Sequence, residues 1–113
     1  MRHVGIEIAK TKPLTEPVVL VLTSLASGPK HGYALLKDVE ALSEGRVRLS
    51  TGTLYGALQR LLATGWIERS EQADVSREKQ AYRLAQAGHA ALHAEVVRLS
   101  HLLEVTAQRL GAA

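Results

Sequence analysis

The chain has 113 residues, of which 46% are hydrophobic and 22% charged, a composition typical of one globular domain and not of a disordered or fibrous chain. No apolar run approaches the roughly 20 residues that span a bilayer, and the first residues do not resemble a secretory signal, so a cytoplasmic protein is expected. Cysteine is absent, which excludes disulfides and thiolate metal sites. The net charge of +3 is a weak indication of nucleic acid, but residues 46–60 contain three arginines and no acid.

Two helices and a short strand are predicted in the first half of the chain. Residues 15–17, Thr-Glu-Pro, are a helix start, and the apolar run 18–25 follows them before a Ser-Gly-Pro stop. A second helix is predicted from about 31 to 42, because apolar residues recur there every three positions. Residues 46–49 alternate between charged and apolar side chains, which favours a very short strand.

A third helix is predicted from about Thr51 to Thr64, capped by Ser50 and stopped by Gly65. Its apolar stripe consists of Leu54, Ala57, Leu58 and Leu61. The opposite face carries small and hydrogen-bonding residues, namely Gly52, Thr53, Gly56, Gln59 and Arg60. Two strands, 66–69 and 81–84, follow with a long polar loop between them, which indicates a β-hairpin.

The last predicted helix begins near Gln86 and is longer than the rest of the domain needs. Its apolar residues form a heptad-like seam of Leu92, Val96, Leu99, Leu103, Thr106 and Leu110. Because an exposed seam of this length would be a large apolar patch, it predicts a homodimer. The expected division is an N-terminal arm or tail at 1–13, a domain of three helices and a hairpin at 14–85 and a dimerisation helix at 86–113.

The predicted order of helix, helix, strand, helix and hairpin is that of a winged helix-turn-helix, a mainly α fold with a small β-hairpin. Three segments then sharpen this interpretation: HGYALLKDVE (31–40), STGTLYGALQRLLATGWIE (50–68) and YRLAQAGHAAL (82–92). They resemble the PadR family of bacterial transcriptional regulators in order and spacing, and the similarity covers about residues 14–110. With one C-terminal helix, the chain is most similar to the smaller subgroup of that family.

The resemblance implies a homodimer that binds a double-stranded DNA operator, represses transcription and is released by a small-molecule effector bound near the dimer interface. Two positions and one loop depart from the family pattern. Ala85 replaces a usual threonine and removes a capping group, and Leu62 replaces a common acid. The loop at 70–80 is less basic than many wings of the family, which weakens its expected share of phosphate binding.

The candidate DNA contacts fall into three groups. Base edges in the major groove are expected to meet the N-terminal part and outer face of the third helix: Ser50, Thr51, Thr53, Gln59 and Arg60. Phosphates are expected at Tyr55, Tyr33 and Lys30. The wing residues Arg77 and Lys79 are expected to reach the neighbouring groove from the wing tip. Gly52 and Gly56 would permit close approach to the duplex. The alternatives are half-buried packing roles for Tyr33 and Tyr55, and ordinary solvated surfaces for the helix face and loop.

Other classes of function have less support in the residues. His89 and His93 lie four apart, with His101 beyond them, but no cysteine or organised carboxylate completes a metal shell, so no metal or cofactor is predicted. No nucleophile with a base, phosphate-cradling loop or carboxylate pair indicates an enzyme. Trp66 is expected in the core, with ligand stacking as its alternative. The alternative function is a winged-helix module that binds a protein partner.

Overall fold

The computed structural model describes residues 12–70 and 80–111. Its first helix begins at the cap that the sequence predicts. Helix α1 spans Glu16–Ala26, and Thr15 caps it, its hydroxyl oxygen accepting from the Val18 N–H at 3.4 Å. The predicted helix at the apolar run 18–25 is therefore confirmed. Its buried face contributes Val21, Leu22 and Leu25 to the core.

A two-residue strand, which the sequence pattern did not predict, precedes the second helix. Strand β1 (Lys30–His31) leads into α2 (Gly32–Leu42), which buries Leu35 and Val39. The strand predicted at 46–49 was wrong, because this segment pairs with no other strand in the described part of the chain. Its alternation has another cause, since Val47 and Leu49 pack against the core while Arg46 and Arg48 face solvent.

Helix α3 spans Thr51–Thr64, as predicted, and its stripe of Leu54, Leu58 and Leu61 is buried. Gly65 ends the helix with a left-handed backbone (φ 79°), a conformation that L side chains adopt with strain, so the predicted stop is confirmed. The chain then enters the sheet directly.

The sheet has three short antiparallel strands in the order β1-β3-β2. Strand β2 (Ile67–Arg69) begins one residue later than predicted, and β3 (Ala81–Leu84) lies where it was predicted. Strand β3 occupies the middle, pairing Tyr82 with Lys30 on one side and with Arg69 on the other. In the described residues, four helices and this small sheet make the predicted winged-helix architecture.

Helix α4 spans Gln86–Arg109 and leaves the body of the protein along its length. Its first turns pack closely, because a Cβ at Gly88 would overlap the backbone oxygen of Trp66. Further along, Glu95 is only 1% exposed. Its carboxylate accepts from the Leu14 N–H at 3.4 Å and from Arg98 at 2.5 and 3.0 Å, which fastens α4 to the segment that precedes α1.

Within 12–70 and 80–111, no helix is long and apolar enough to cross a membrane. The same residues contain no group of three or more histidine, cysteine, aspartate or glutamate side chains placed to hold a metal ion.

Candidate nucleic-acid interface

The N-terminus of α3 is open to solvent and ordered by its own side chains. The Ser50 hydroxyl oxygen accepts from the Thr53 N–H at 3.1 Å, and the hydroxyl donates to Thr53 Oγ1 at 2.9 Å. Ser50, Thr51, Gly52 and Thr53 are all exposed. An open helix start has backbone N–H groups without helical partners and the positive end of the helix dipole, which together favour an anion such as a phosphate.

The outer face of α3 is smooth as well as exposed. A Cβ built on Gly52 would meet nothing within 4 Å, and one on Gly56 would meet only the Arg60 guanidinium at 3.8 Å. Gln59 and Arg60 continue this face and are exposed. Arg60 forms no ion pair with any described residue, so its five N–H donors are available to a partner. We call residues 50–53, 56, 59 and 60 the α3 face.

Of the three phosphate contacts predicted beside α3, Tyr33 alone projects into solvent, with 66% of its surface exposed. Tyr55 is 8% exposed and its ring lies against Gly32, a position that favours the packing alternative. The Lys30 ammonium donates to the Ser24 carbonyl at 2.5 Å and to the Ser27 hydroxyl at 2.8 Å, so it closes the end of α1. Contact of these residues with DNA stays a prediction.

Lys37 is a basic residue beside α3 that the sequence analysis did not include among the candidate DNA contacts. It lies one turn after Tyr33 on α2, with its ammonium 5.5 Å from the centroid of the Tyr33 ring. The sequence could have indicated this pair, because residues four apart on one helix, such as Tyr33 and Lys37, lie on the same face. Tyr33 and Lys37 together provide a hydroxyl and a positive charge at the same exposed edge.

The run 46–60 contains no acidic residue, but acids from other segments lie beside two of its arginines in the folded protein. Arg46 forms an ion pair with Glu16, and this hydrogen bond lowers the pKa of the Glu16 carboxyl below its ordinary value. Arg48 lies 3.2 Å from the Glu40 carboxylate. The basic character that the sequence assigned to the whole run is therefore concentrated on Arg60.

The wing begins at a sheet whose charges are partly neutralised. Glu68 and Arg83 face each other across β2 and β3 and form an ion pair at 3.0 Å. Arg69 is exposed and has no ion pair within the described ranges. The predicted wing contacts Arg77 and Lys79 lie outside the described residues.

The predicted dimer seam divides where α4 leaves the domain. Leu92 is half-buried and packs against the core of its own protomer. The later seam residues are exposed, with Leu103 at 70% and Leu110 at 80%, and Val96 and Leu99 are also open. Further apolar side chains off the seam are exposed as well: Val97, Leu102 and Val105. The far half of α4 thus presents a wide apolar surface in the protomer.

A curated relative covers most of this chain. It is described as an uncharacterised 37.1 kDa protein in transposon Tn4556 of Streptomyces fradiae, and it is 38% identical over 84 residues, which are 74% of this chain. The chain spans about a quarter (23%) of that protein's own length.

Solved structures share the fold at low sequence identity. A PadR family transcription regulator from hypervirulent Clostridium difficile R20291 aligns with a TM-score of 0.69 at 21% identity, covering 85% of this chain and 99% of that one. Bacillus subtilis PadR in complex with operator DNA aligns with a TM-score of 0.59 at 23% identity, covering 72% of this chain and 46% of that one.

The family model gives the assignment directly. Residues 21–94 match the model described as the transcriptional regulator PadR-like family. This match takes in more than half of the chain, including α2, α3, the sheet and the first turns of α4. The chain belongs to the PadR-like family of transcriptional regulators.

Proposed function

We propose that this protein is a homodimeric repressor that binds a double-stranded DNA operator through the α3 face and is released by a small-molecule effector. The observation that carries the proposal is the α3 face itself, an exposed and smooth helix surface with an open N-terminus. Such a surface can enter a major groove, where donors and acceptors distinguish the base pairs. Bacillus subtilis PadR, which shares the fold, has been solved in complex with operator DNA, and this supports DNA binding by the present chain.

Within the α3 face, the side chains suit different parts of the duplex. Arg60 can donate two hydrogen bonds to one guanine edge, and Gln59 can pair with adenine. Ser50, Thr51 and Thr53 stand at the helix start, where short hydroxyls reach bases or phosphates. Tyr33 and Lys37 lie outside the face, so we assign them to the DNA backbone.

The exposed part of α4 supplies the dimer contact in this proposal. Val96, Leu99, Leu103 and Leu110 would be covered by the same residues of a second copy, as a two-fold contact between helices requires. Two α3 faces related by this axis would enter successive major grooves, with half-sites about one helical turn apart.

A cavity beside Trp66 supports the effector part of the proposal. It has a volume of about 340 Å³, and its walls are residues 12–14, Trp66 and, from α4, Ala91, Ala94 and Glu95. This volume lies within the usual range for small-molecule sites, about 300–1,000 Å³. Trp66 is the one tryptophan of the chain, so its fluorescence reports directly on occupancy in a ligand screen.

DNA binding is tested by fluorescence anisotropy on the DNA upstream of the protein's own gene, with random DNA of equal length as competitor. Specific binding should exceed random binding and weaken steeply with salt. Arg60→Ala should relax sequence preference at one base pair and weaken binding by about 1–3 kcal/mol. Arg109→Ala removes the same charge from the far end of α4 and should leave the preference intact. Equal affinity for the upstream and random DNA would refute a specific operator.

Repression and partner choice need separate readouts. A reporter joined to the same upstream DNA should be silenced by the wild-type protein and not by Arg60→Ala. A co-purifying protein partner without retention of DNA would instead favour the interaction-module alternative.

The dimer is tested by the mass in solution. Leu103→Glu places a charge in the seam and should convert the dimer to monomer, because a buried unpaired carboxylate is strongly disfavoured. Gln108→Glu introduces the same charge on the opposite side of α4 and should leave the dimer intact. A monomeric wild-type protein at working concentration, measured by light scattering, would contradict the proposal.

A further inference from the structure

A second cavity lies between α3 and the wing sheet, apart from the one beside Trp66. It has a volume of about 190 Å³, room for about six waters at roughly 30 Å³ each. Helix α3 lines one wall with Leu58, Gln59 and Leu62, which recur at helical spacing. The sheet lines the other wall with Arg69, Gln80 and Tyr82.

Gln80 is the unusual residue of this cavity. It is 7% exposed, yet its amide nitrogen has no hydrogen-bond partner among the described residues. Side chains alternate along a strand, so Gln80 lies on the same side as the buried Tyr82, two residues later, and faces α3. A buried donor without an acceptor is disfavoured and rare in folded proteins, which makes an incoming acceptor atom favourable at this position.

The remaining polar groups of the cavity give the chemistry of that acceptor. Arg69 is paired across the strands with Tyr82, which brings its side chain to the same side of the sheet as Gln80. Its guanidinium has no ion pair within the described residues, and the cavity lining contains no acid. A carboxylate would accept hydrogen bonds from both groups, while Leu58 and Leu62 would cover a short apolar tail.

We propose that this cavity binds a short-chain carboxylate, with the carboxylate between the Gln80 amide and the Arg69 guanidinium. Gln59 lines the cavity and also belongs to the α3 face. A carboxylate bound in the cavity would therefore contact a residue that is expected to meet the DNA bases. The proposal that the carboxylate binds depends only on the residues that line the cavity. Its effect on DNA affinity rests on the proposed function.

The binding experiment uses no DNA and two matched probes, butyrate and its neutral isostere butyramide. Butyrate should shift the Gln80 side-chain amide resonance in NMR spectra of the wild-type protein, and butyramide should not. Gln80→Leu and Arg69→Gln should each weaken butyrate binding about tenfold or more, since each removes a charge-assisted hydrogen bond. Arg83→Gln makes the same charge change on the other side of the sheet, where Arg83 pairs with Glu68, and should bind butyrate normally.

Several results would overturn the proposal. Equal binding of butyrate and butyramide, or no shift with either, would mean that the cavity does not select a carboxylate. If inorganic phosphate binds as tightly as butyrate, the cavity is a general anion site, such as one for a DNA phosphate, and not a carboxylate site.

Gln80→Leu should leave the melting temperature unchanged or raise it, because it removes an unpaired donor. A large fall would show that the amide is satisfied inside the fold, and Arg69→Gln then still tests binding.

An anisotropy titration of operator DNA with and without butyrate follows as a separate arm. A change in DNA affinity that is lost in Gln80→Leu supports regulation through this cavity. Normal butyrate binding with no specific DNA binding would contradict the proposed function and leave the carboxylate site standing. Normal DNA binding without butyrate binding would contradict the carboxylate site and leave the proposed function standing.

Discussion

Replacing Gly52 with alanine should change folding stability and DNA affinity in opposite directions. Gly52 is exposed in the first turn of α3, its φ is not in the left-handed region, and an added Cβ would meet no atom within 4 Å. Alanine restricts the unfolded chain more than glycine does, so Gly52→Ala should stabilise the protein by about 0.5 kcal/mol. For a domain of this size that gain raises the melting temperature by about 2–4 °C.

The same methyl group would stand between α3 and the duplex. An extra methyl in a close-packed contact costs about 1–3 kcal/mol, which weakens binding roughly 5- to 150-fold. Thermal melts and anisotropy on operator DNA measure the two effects in one preparation. As a control, Ala87→Gly in the first turn of α4 should lower stability by a similar amount and leave DNA affinity unchanged.

Two outcomes would refute this reasoning. If Gly52→Ala raises the melting temperature but binds operator as tightly as the wild type, the start of α3 does not approach the duplex closely. If it lowers the melting temperature, the glycine serves the fold, and its absence of neighbours has been misinterpreted. Gly56→Ala, one turn later on the same face, should repeat the loss of affinity, since it meets only the Arg60 side chain at 3.8 Å.

The other predictions concern how α4 is attached. Gly88→Ala should destabilise the protein by about 3 kcal/mol in urea unfolding, because its Cβ would overlap the Trp66 backbone oxygen. Ala85→Ser should stabilise it by about 1 kcal/mol, because the α4 N-cap makes no side-chain hydrogen bond at present. Glu95→Gln should cost about 1.5–3 kcal/mol near neutral pH. Hydrogen bonding to Arg98 lowers the pKa of Glu95 in the folded protein, so its contribution is complete above the ordinary pKa of an unfolded glutamate and is lost as the pH falls through the lowered folded pKa. The wild type and Glu95→Gln should therefore converge in acid.

The parts of the fold that the sequence predicted well have local causes. Helix α3 begins at a serine cap, ends at a left-handed glycine and carries one apolar stripe, and each signal lies within a few residues of its effect. Strand β1 has no such signal. Lys30 and His31 form a strand because β3, some fifty residues later, pairs with them. The alternation at 46–49 was misleading because an extended connection that buries every second residue has the same pattern as a strand.

The candidate site shows the same division between local and long-range information. The direction of the α3 face follows from helical periodicity, so its exposure could be predicted. Tyr55 lies next to Leu54 at the edge of the stripe, and its burial depends on α2 approaching closely at Gly32. Lys30 stays a predicted phosphate contact, but the hydrogen bonds of its ammonium to the end of α1 are not apparent from the periodicity. Periodicity gives the direction of a side chain and does not report what a distant segment places there.

Trp66 connects α3 and α4 through its backbone. Its N–H donates to the Leu61 carbonyl at 3.0 Å and completes the end of α3, while its own carbonyl accepts from the Ala85 N–H at 3.0 Å. The same carbonyl oxygen is where Gly88 brings α4 into contact. The last turn of α3 and the first turn of α4 therefore share one residue, and close packing there resists independent movement. In the proposed dimer, the α4 pair sets the distance between the two α3 faces. If the proposed effector beside Trp66 changes how the two α4 helices cross, each α3 face would move with its α4, and the half-site spacing offered to DNA would change without contact to the α3 face.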